Sequence, residues 1–467
     1  MSFINISLIA PVLSCTLISI TLQANAADFG TFEKPFSATS LWNSKPVAPV
    51  FDDFVIPTSK FFPAVQDGKY STHCYLAKAS DGPMIVKGTI GKKGIYDADA
   101  ENFSEQITIP HWPSELLPAE GTDGHADIFD TTSGIIYSFW QLRKVDSVWR
   151  ATHYGWMSMS GSGWGDPAHY HQGSRATGVA SCAGIIRSFE LHDGQDMYNH
   201  ALAISLTDSA LSHIPSYAYP ATVSDGNTSM NTGLIPEGAL LMLPPEFDTA
   251  LLNTPELKKI ANTLKVYGAY VVDKNYGTPY LIYAEIGSGL KMHKGIWDVR
   301  AAQELQNIRQ SLRMVRSTSG WIDGNGKSFT PNKNLNILSM RGPWLPLNGK
   351  PVGKFVSVQQ AVVFDQTETK VVQANYSPRS IPLIDWAKPE KGKRYTLKAV
   401  TTGGASLRFK IIDKETKKQV YDSRDLQNNE SVTFEWPVDS FYPLLTVTSG
   451  VGGASSARGI LLRAADK

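Results

Sequence analysis

Turn residues punctuate this chain so densely that they decide what it can fold into. With 38 glycines and 27 prolines, the apolar and alternating runs stay short, which suits strands joined by turns better than packed helices. The clearest runs are Pro83 to Val86, Gln106 to Ile109, Ala126 to Phe129 and Ile135 to Gln141, then Ala201 to Leu206, Ala239 to Leu243, Ala269 to Val272 and Tyr280 to Ile286. Asp130-Thr131-Thr132-Ser133-Gly134 predicts a hairpin turn, and Asp273 to Pro279 predicts another between the last two runs. Helical spacing is confined to Pro255 to Val266, with Thr254 as N-cap, and to Val299 to Val315. The expected fold is all-β: a large β-sandwich or jelly-roll-like domain with a few bracing helices.

Both ends of the chain differ from its middle. Met1 to Ala26 has no charged side chain, is largely apolar from Leu8 to Leu22, and closes on Ala24-Asn25-Ala26. That is the pattern of a cleaved export signal, so a secreted or periplasmic location is expected. Removal of the signal takes Cys15 with it and leaves Cys74 and Cys182, an even pair suited to one disulfide in an oxidising compartment or to two buried thiols. Asp28 to Pro63 reads as an extended segment pinned by aromatic anchors such as Trp42. Gly342 to Gly353 has the composition of a seam. The expected division is a signal over 1–26, a main domain over 27–345 and a small accessory β-sandwich over 354–467. The net charge of +1 offers no basic field for nucleic acid.

All ten histidines precede residue 294, which places any imidazole chemistry in the main domain. In Asp123-Gly124-His125-Ala126-Asp127, strand alternation puts His125 and Asp127 on one face, an arrangement suited to general acid–base work. His169 and His171 share a face if extended and would ligate a metal with Asp166 or Asp127, and Asp273-Lys274-Asn275 resembles an acidic turn that takes calcium; otherwise no cofactor is expected. Arg187, Glu190, His200 and Asp225 form a second set, with His200 at a strand end and Asp225 in a loop. Trp156 and Trp164 in the Met-Ser-Gly loop are the expected sugar platforms, with Tyr154 and Tyr270 beside them, whereas Trp140 in its apolar strand is expected to fill core. No nucleophile elbow, P-loop or dinucleotide fingerprint occurs.

Several segments together resemble a group of exported, all-β, carbohydrate-active bacterial proteins. They are Pro35-Phe36-Ser37 with Ser40-Leu41-Trp42-Asn43, Asp123-Gly124-His125, Ile185-Ile186-Arg187, His200-Ala201-Leu202, Pro220-Ala221-Thr222 with Asp225-Gly226, Pro236 to Ala239, and Tyr267 to Asp273. The resemblance spans roughly Phe32 to Glu285 and implies glycan chemistry without assigning roles to residues. The leading expectation is a secreted glycoside hydrolase acting on a polysaccharide through Asp127 and Asp225 as paired carboxylates, with His125 and His200 tuning their protonation. Arg187, Tyr154, Trp156, Trp164 and Tyr270 would bind substrate. The alternatives are a polysaccharide lyase, with Arg187 neutralising a uronate, and a secreted glycan-binding or adhesion protein without catalysis.

Overall fold

The computed structural model describes residues 28–293, 297–350 and 353–465; the predicted export signal lies outside them. The chain is mostly β, arranged in several sheets, with two α-helices among the described residues. No helix among those residues is long and apolar enough to cross a membrane.

The main part of the molecule is a stack of sheets. A six-stranded sheet runs in the order Cys74–Ala77, Ala126–Asp130, Ile135–Trp140, His153–Ser158, Ile95–Asp97 and Asn102–Ser104. Strand alternation gives it two apolar faces. Ala126, Ile128, Tyr137 and Phe139 pack with Val86 and Trp149 of a four-stranded sheet. Cys74, Phe129, Ile136 and Met157 face the other way, onto Ala203, Tyr270, Val272 and Tyr283 of a seven-stranded sheet. The far face of that seven-stranded sheet, with Leu202, Ile204, Val271 and Ile282, is covered by helices α1 (Pro255–Val266) and α2 (Val299–Ser311). The helices brace a sheet and the sheets enclose the site.

The hairpin at Asp130 forms as expected, with Asp130 Oδ1 accepting from the Thr132 and Ser133 amides at 3.0 and 3.3 Å. The hairpin expected between Ala269–Lys274 and Tyr280–Tyr283 does not form. Leu202–Leu206 lies between them, parallel to the first and antiparallel to the second. Local turn chemistry reported a reversal correctly, but a strand from elsewhere competed for the hydrogen bonds of both. The second helix stops at Ser311 and the chain continues as a strand, Arg313–Ser317, so Val315 belongs to a sheet. Thr254 precedes α1 without capping it through its side chain. Instead the Glu304 carboxylate of α2 accepts from the Asn253 and Thr254 amides at 2.7 and 3.1 Å.

The N-terminal segment is pinned by its rings. Trp42 is 1% exposed and stacks on Trp164 at 4.9 Å, with Tyr270 edge-on at 5.3 Å. Its indole has room only because position 184 is glycine, in a left-handed conformation of φ 66°, where a Cβ would stand 2.3 Å from the ring. Beyond the stack, two five-stranded sheets form a C-terminal sandwich. Its core reaches back to Ile337 and Leu338, ahead of the Gly342 to Gly353 seam, and joins Phe364, Leu397, Phe409 and Trp436.

Cys74 and Cys182 are joined, with Cα atoms 6.0 Å apart and a sequence separation of 108. A cross-link closing a loop of that length restricts the unfolded chain strongly. Replacing both cysteines by serine is expected to lower the stability of the stacked-sheet unit by about 3 kcal/mol, measured by urea unfolding followed through tryptophan fluorescence.

Candidate functional site

Asp127 is fully buried and is a structural knot rather than a cleft acid. Its carboxylate accepts from Ser138 Oγ at 2.5 Å, Ser181 Oγ at 2.8 Å and the Cys182 amide at 2.5 Å. It faces away from Ala126 and Ile128, as alternation requires, but that second face is also interior. Burial raises its pKa, opposed by the Ser138, Cys182 and Ser181 hydrogen bonds. Ser138 Oγ meets Ser174 Oγ at 2.8 Å, and Ser174 Oγ meets His125 Nδ1 at 3.2 Å. The Ser138 proton is spent on Asp127, and Ser174 links Ser138 to the His125 ring. Asp127 therefore orients His125 through two serines.

That chain of hydrogen bonds ends at a cleft of about 800 Å³ between the six- and seven-stranded sheets. His125, His153 and His171 stand on its walls with Arg175, and Asp123, Asp225 and Asp273 line it as well. His153 comes from its own strand, and its ring meets that of His171 edge to face at 5.0 Å. The loop bearing Ser174 and Arg175 folds back on itself, the Gln172 amide donating to the Gly178 carbonyl at 2.9 Å and the Gly178 amide to the Arg175 carbonyl at 2.8 Å. It closes this tightly because Gly173 has no Cβ, which would fall 2.1 Å from the Val179 backbone. The rim is aromatic: Trp140, Tyr70, Phe61 and Tyr276 line it, the last three well exposed. Trp140 is thus a cleft residue, contrary to the expectation of core filling, and its Nε1 donates to Asp123 Oδ1 at 3.3 Å.

Charge in the cleft is dominated by acids. Burial lifts Asp273 to about 6 against the pull of Arg175, and Asp225 and Asp123 push it the same way. Arg175 Nη1 lies 3.3 Å from Asp273 Oδ2, and its guanidinium covers the Tyr283 ring at 3.9 Å. Burial also raises Asp225. Behind Asp225, Glu237 accepts from the Asp225 amide at 3.1 Å; burial first, then Asp273, raise it well above the usual carboxylate range. Lys274 is committed to Asp208 at 2.8 Å. Burial lowers His153 to about 3 and His171 to about 4, and pushes His125 well below its ordinary value, so all three rings are neutral at pH 7. Four atoms on these walls are buried without a protein partner: Arg175 Nε and Nη2, His153 Nε2 and His171 Nδ1.

Of the residues expected to act as catalytic or substrate-binding groups, the fold brings His125 and Asp225 into the cleft and leaves the others elsewhere. His200 is held by Glu190 at 3.1 Å through Nε2 and donates from Nδ1 to the Ala201 carbonyl at 2.8 Å; burial opposes its charge, but Glu190 prevails and raises its pKa. Arg187 is spent on Glu285 at 3.3 Å and the Phe32 carbonyl at 3.2 Å. Both line a separate depression that shares no residue with the cleft. Tyr154 donates to Asp97 at 2.9 Å, and Trp156 is buried, donating from Nε1 to Ser357 Oγ at 2.7 Å. Trp164 and Tyr270 are 3% and 2% exposed and serve as core under Trp42, not as sugar platforms. His169 lies toward Asp99, 3.8 Å away, so the His169–His171 pair does not form one site. Among the described residues no three His, Cys, Asp or Glu side chains converge as a metal ion would require.

Arg175 and His153 line the cleft without having been singled out in the sequence, and Asp273, expected there only as part of a calcium-type turn, lines it as well. Arg175 had one legible signal, a single charge inside the glycine-bounded run Gly173-Ser174-Arg175-Ala176-Thr177-Gly178. His153 had none, because nothing in a strand ending distinguishes it.

No protein-family model matches the chain, and no curated protein matches it. Solved structures show distant likeness. The Gap123 glycosylation-associated complex from Streptococcus agalactiae matches 27% of this chain and 46% of its own, at 12% identity and a TM-score of 0.19. The carbohydrate-binding module TmCBM61, solved with β-1,4-galactotriose, matches over 26% and 89% at 12% identity and TM-score 0.18. A mutant family 29 carbohydrate-binding module matches over 28% and 87% at 10% identity and TM-score 0.17. At such scores the likeness carries no functional argument, which rests on the cleft.

Since Asp127 receives only donors, Asp127→Asn would turn an amide N–H₂ toward one of them. The expected loss is about 2–3 kcal/mol of stability, read by urea unfolding. An Asn variant as stable as the native chain would contradict the structural assignment.

Proposed function

We propose that the cleft binds an extended neutral polysaccharide and hydrolyses a glycosidic bond within it. The observation that supports binding is that Arg175, His153 and His171, each with a buried polar atom that no protein group satisfies, line one aromatic-rimmed cleft. A buried polar atom without a partner costs about 1–3 kcal/mol, and sugar hydroxyls supply both donors and acceptors. Rings such as Trp140 and Tyr276 suit the C–H faces of pyranoses.

For the chemistry, Asp273 replaces Asp127 in the expected carboxylate pair. With its pKa near 6, Asp273 retains a proton to give to the glycosidic oxygen, while Asp225, on the Glu237-backed loop, serves as base or nucleophile. The neutral imidazoles then position hydroxyls and carry no charge themselves. The uronate lyase reading fits this cleft less well. A uronate would meet Asp123 and Asp225, and each like charge at about 6 Å costs about 3 kcal/mol at an effective dielectric of 20. Of the two cations beside them, Lys274 is paired with Asp208, and Arg175 meets Asp273 through Nη1. An exported location, expected from the N-terminus, is consistent with a polymeric substrate.

The test is a panel of neutral polysaccharides (xylan, galactan, hydroxyethyl cellulose) beside alginate and polygalacturonate. Retention of a neutral member with release of reducing ends is expected, without the ultraviolet absorbance of an unsaturated uronate. Asp225→Asn and Asp273→Asn should each lower cleavage at least about 100-fold while retaining the polymer. The rate should fall as pH rises through about 6, where Asp273 loses its proton, and Asp273→Asn should lose that limb. Retention with no cleavage by the native protein would leave the binding function alone; neither retention nor cleavage would refute the assignment of the cleft.

A further inference from the structure

We propose that the C-terminal sandwich is a positioning element of the cleft, holding the loops that carry His171 and Asp225 at their working separation. The inference rests on the cleft being the functional site. An accessory glycan-binding domain would need a free face and a loose tether; this one is keyed into the main unit beside the cleft by buried polar contacts.

One contact acts on the His171 loop. Arg341, 1% exposed, lays its guanidinium over the Tyr170 ring at 3.5 Å, and its Nε lies 3.2 Å from Glu101. Tyr170 also donates its hydroxyl to Glu101 at 3.2 Å, and Arg379 pairs with the same carboxylate at 2.9 Å. A flat cation stacked on a ring with its edge beside a carboxylate is a geometry that lysine does not reproduce. Tyr170 precedes His171 directly, so fixing its ring fixes the backbone from which His171 enters the cleft.

A second contact acts on the Asp225 loop. Trp386 donates its indole N–H to the Ala221 carbonyl at 2.7 Å and packs edge to face on Tyr219 at 5.1 Å. The two loops are themselves tied, since Thr222 Oγ1 donates to the Tyr170 carbonyl at 2.5 Å. The sandwich thus grips both sides of one joint, and beneath it Asp99 receives hydrogen bonds from Ser357 and Gln360. Misplacement of a reacting group by about 1 Å from a distant change costs about 100-fold in rate, so a buttress of this kind reads out in turnover.

Trp386→Phe keeps an aromatic ring beside Tyr219 but loses the N–H bond to Ala221 and part of the indole's packing area; Arg341→Lys keeps the charge and loses the stack. In the full-length protein, titration of the His171 ring by carbon-13-edited NMR tests the proposal without any glycan. Loosening admits water, so the His171 midpoint should rise by about one pH unit from its depressed value in both variants, with His73 unchanged. On xylan, or whichever neutral polymer of the panel the native protein cleaves, kcat should fall about tenfold with KM changed less than about twofold. Should Arg341→Lys fail to fold, Trp386→Phe carries the test. An unmoved His171 midpoint with folded Trp386→Phe overturns the proposal even if the native protein cleaves glycan. A moved midpoint in a protein that neither binds nor cleaves glycan upholds the mechanical link and refutes the glycan reading instead.

Discussion

The structure turns on a carboxylate that never meets solvent. Asp127 stands opposite Cys74 in the parallel register of the six-stranded sheet, and Cys74 is bonded to Cys182, whose amide donates to Asp127. The central sheet, the disulfide and the loop from Gly173 to Cys182 are closed into one ring of interactions. Burying a carboxylate is costly unless every lone pair is used. Three donors meet that need here, and their geometry leaves the loop little freedom. Arg175, Ser174 and His171 lie on the approach to this knot, so the cleft inherits its rigidity.

From that rigidity follows the electrical character of the cleft. Imidazoles held away from water stay neutral, and acids gathered within reach of one another raise each other's pKa. Arg175 would quench the cluster if fully engaged, but it meets Asp273 through Nη1 and covers Tyr283, leaving Nε and Nη2 free of protein partners. The result is a cleft in which Asp273 holds a proton up to about pH 6 beside neutral imidazoles, the combination on which the proposed neutral-polymer reading rests. The C-terminal sandwich extends the same logic outward. Arg341 meets the Tyr170 ring next to His171 and Trp386 meets the Ala221 carbonyl of the Asp225 loop, so in the proposed arrangement the distance across the cleft depends on a domain that contributes none of its lining.

Much of the fold was legible because strand and turn signals are local. The runs at Ala126 and Ile135, the Asp130 turn and the helix from Pro255 depend on nearest neighbours and formed as read. The hairpin after Ala269 failed because pairing partners are chosen by the whole sheet, and Leu202–Leu206 offered a better-buried neighbour on both sides. The site residues divide the same way. His125 and Asp225 were visible as polar groups in apolar or turn contexts. Arg187 and His200 had the same outward signal but were consumed by Glu285 and Glu190, partners whose proximity depends on the folded chain.

Alternation, turn chemistry and the aromatic anchors of the N-terminal segment determined from sequence alone that this would be a layered β protein with its histidines in one part. They also put His125 and Asp127 on a common face. Only the tertiary structure decided that this face is interior, which made Asp127 a knot and removed it from the cleft where Asp273 stands. It also decided that Trp140 rather than Trp156 or Trp164 meets the cleft. The physical reason is the same in each case: a side chain's periodicity states which way it points, but its solvation, and with it its charge and chemistry, depends on which distant layer arrives to cover it.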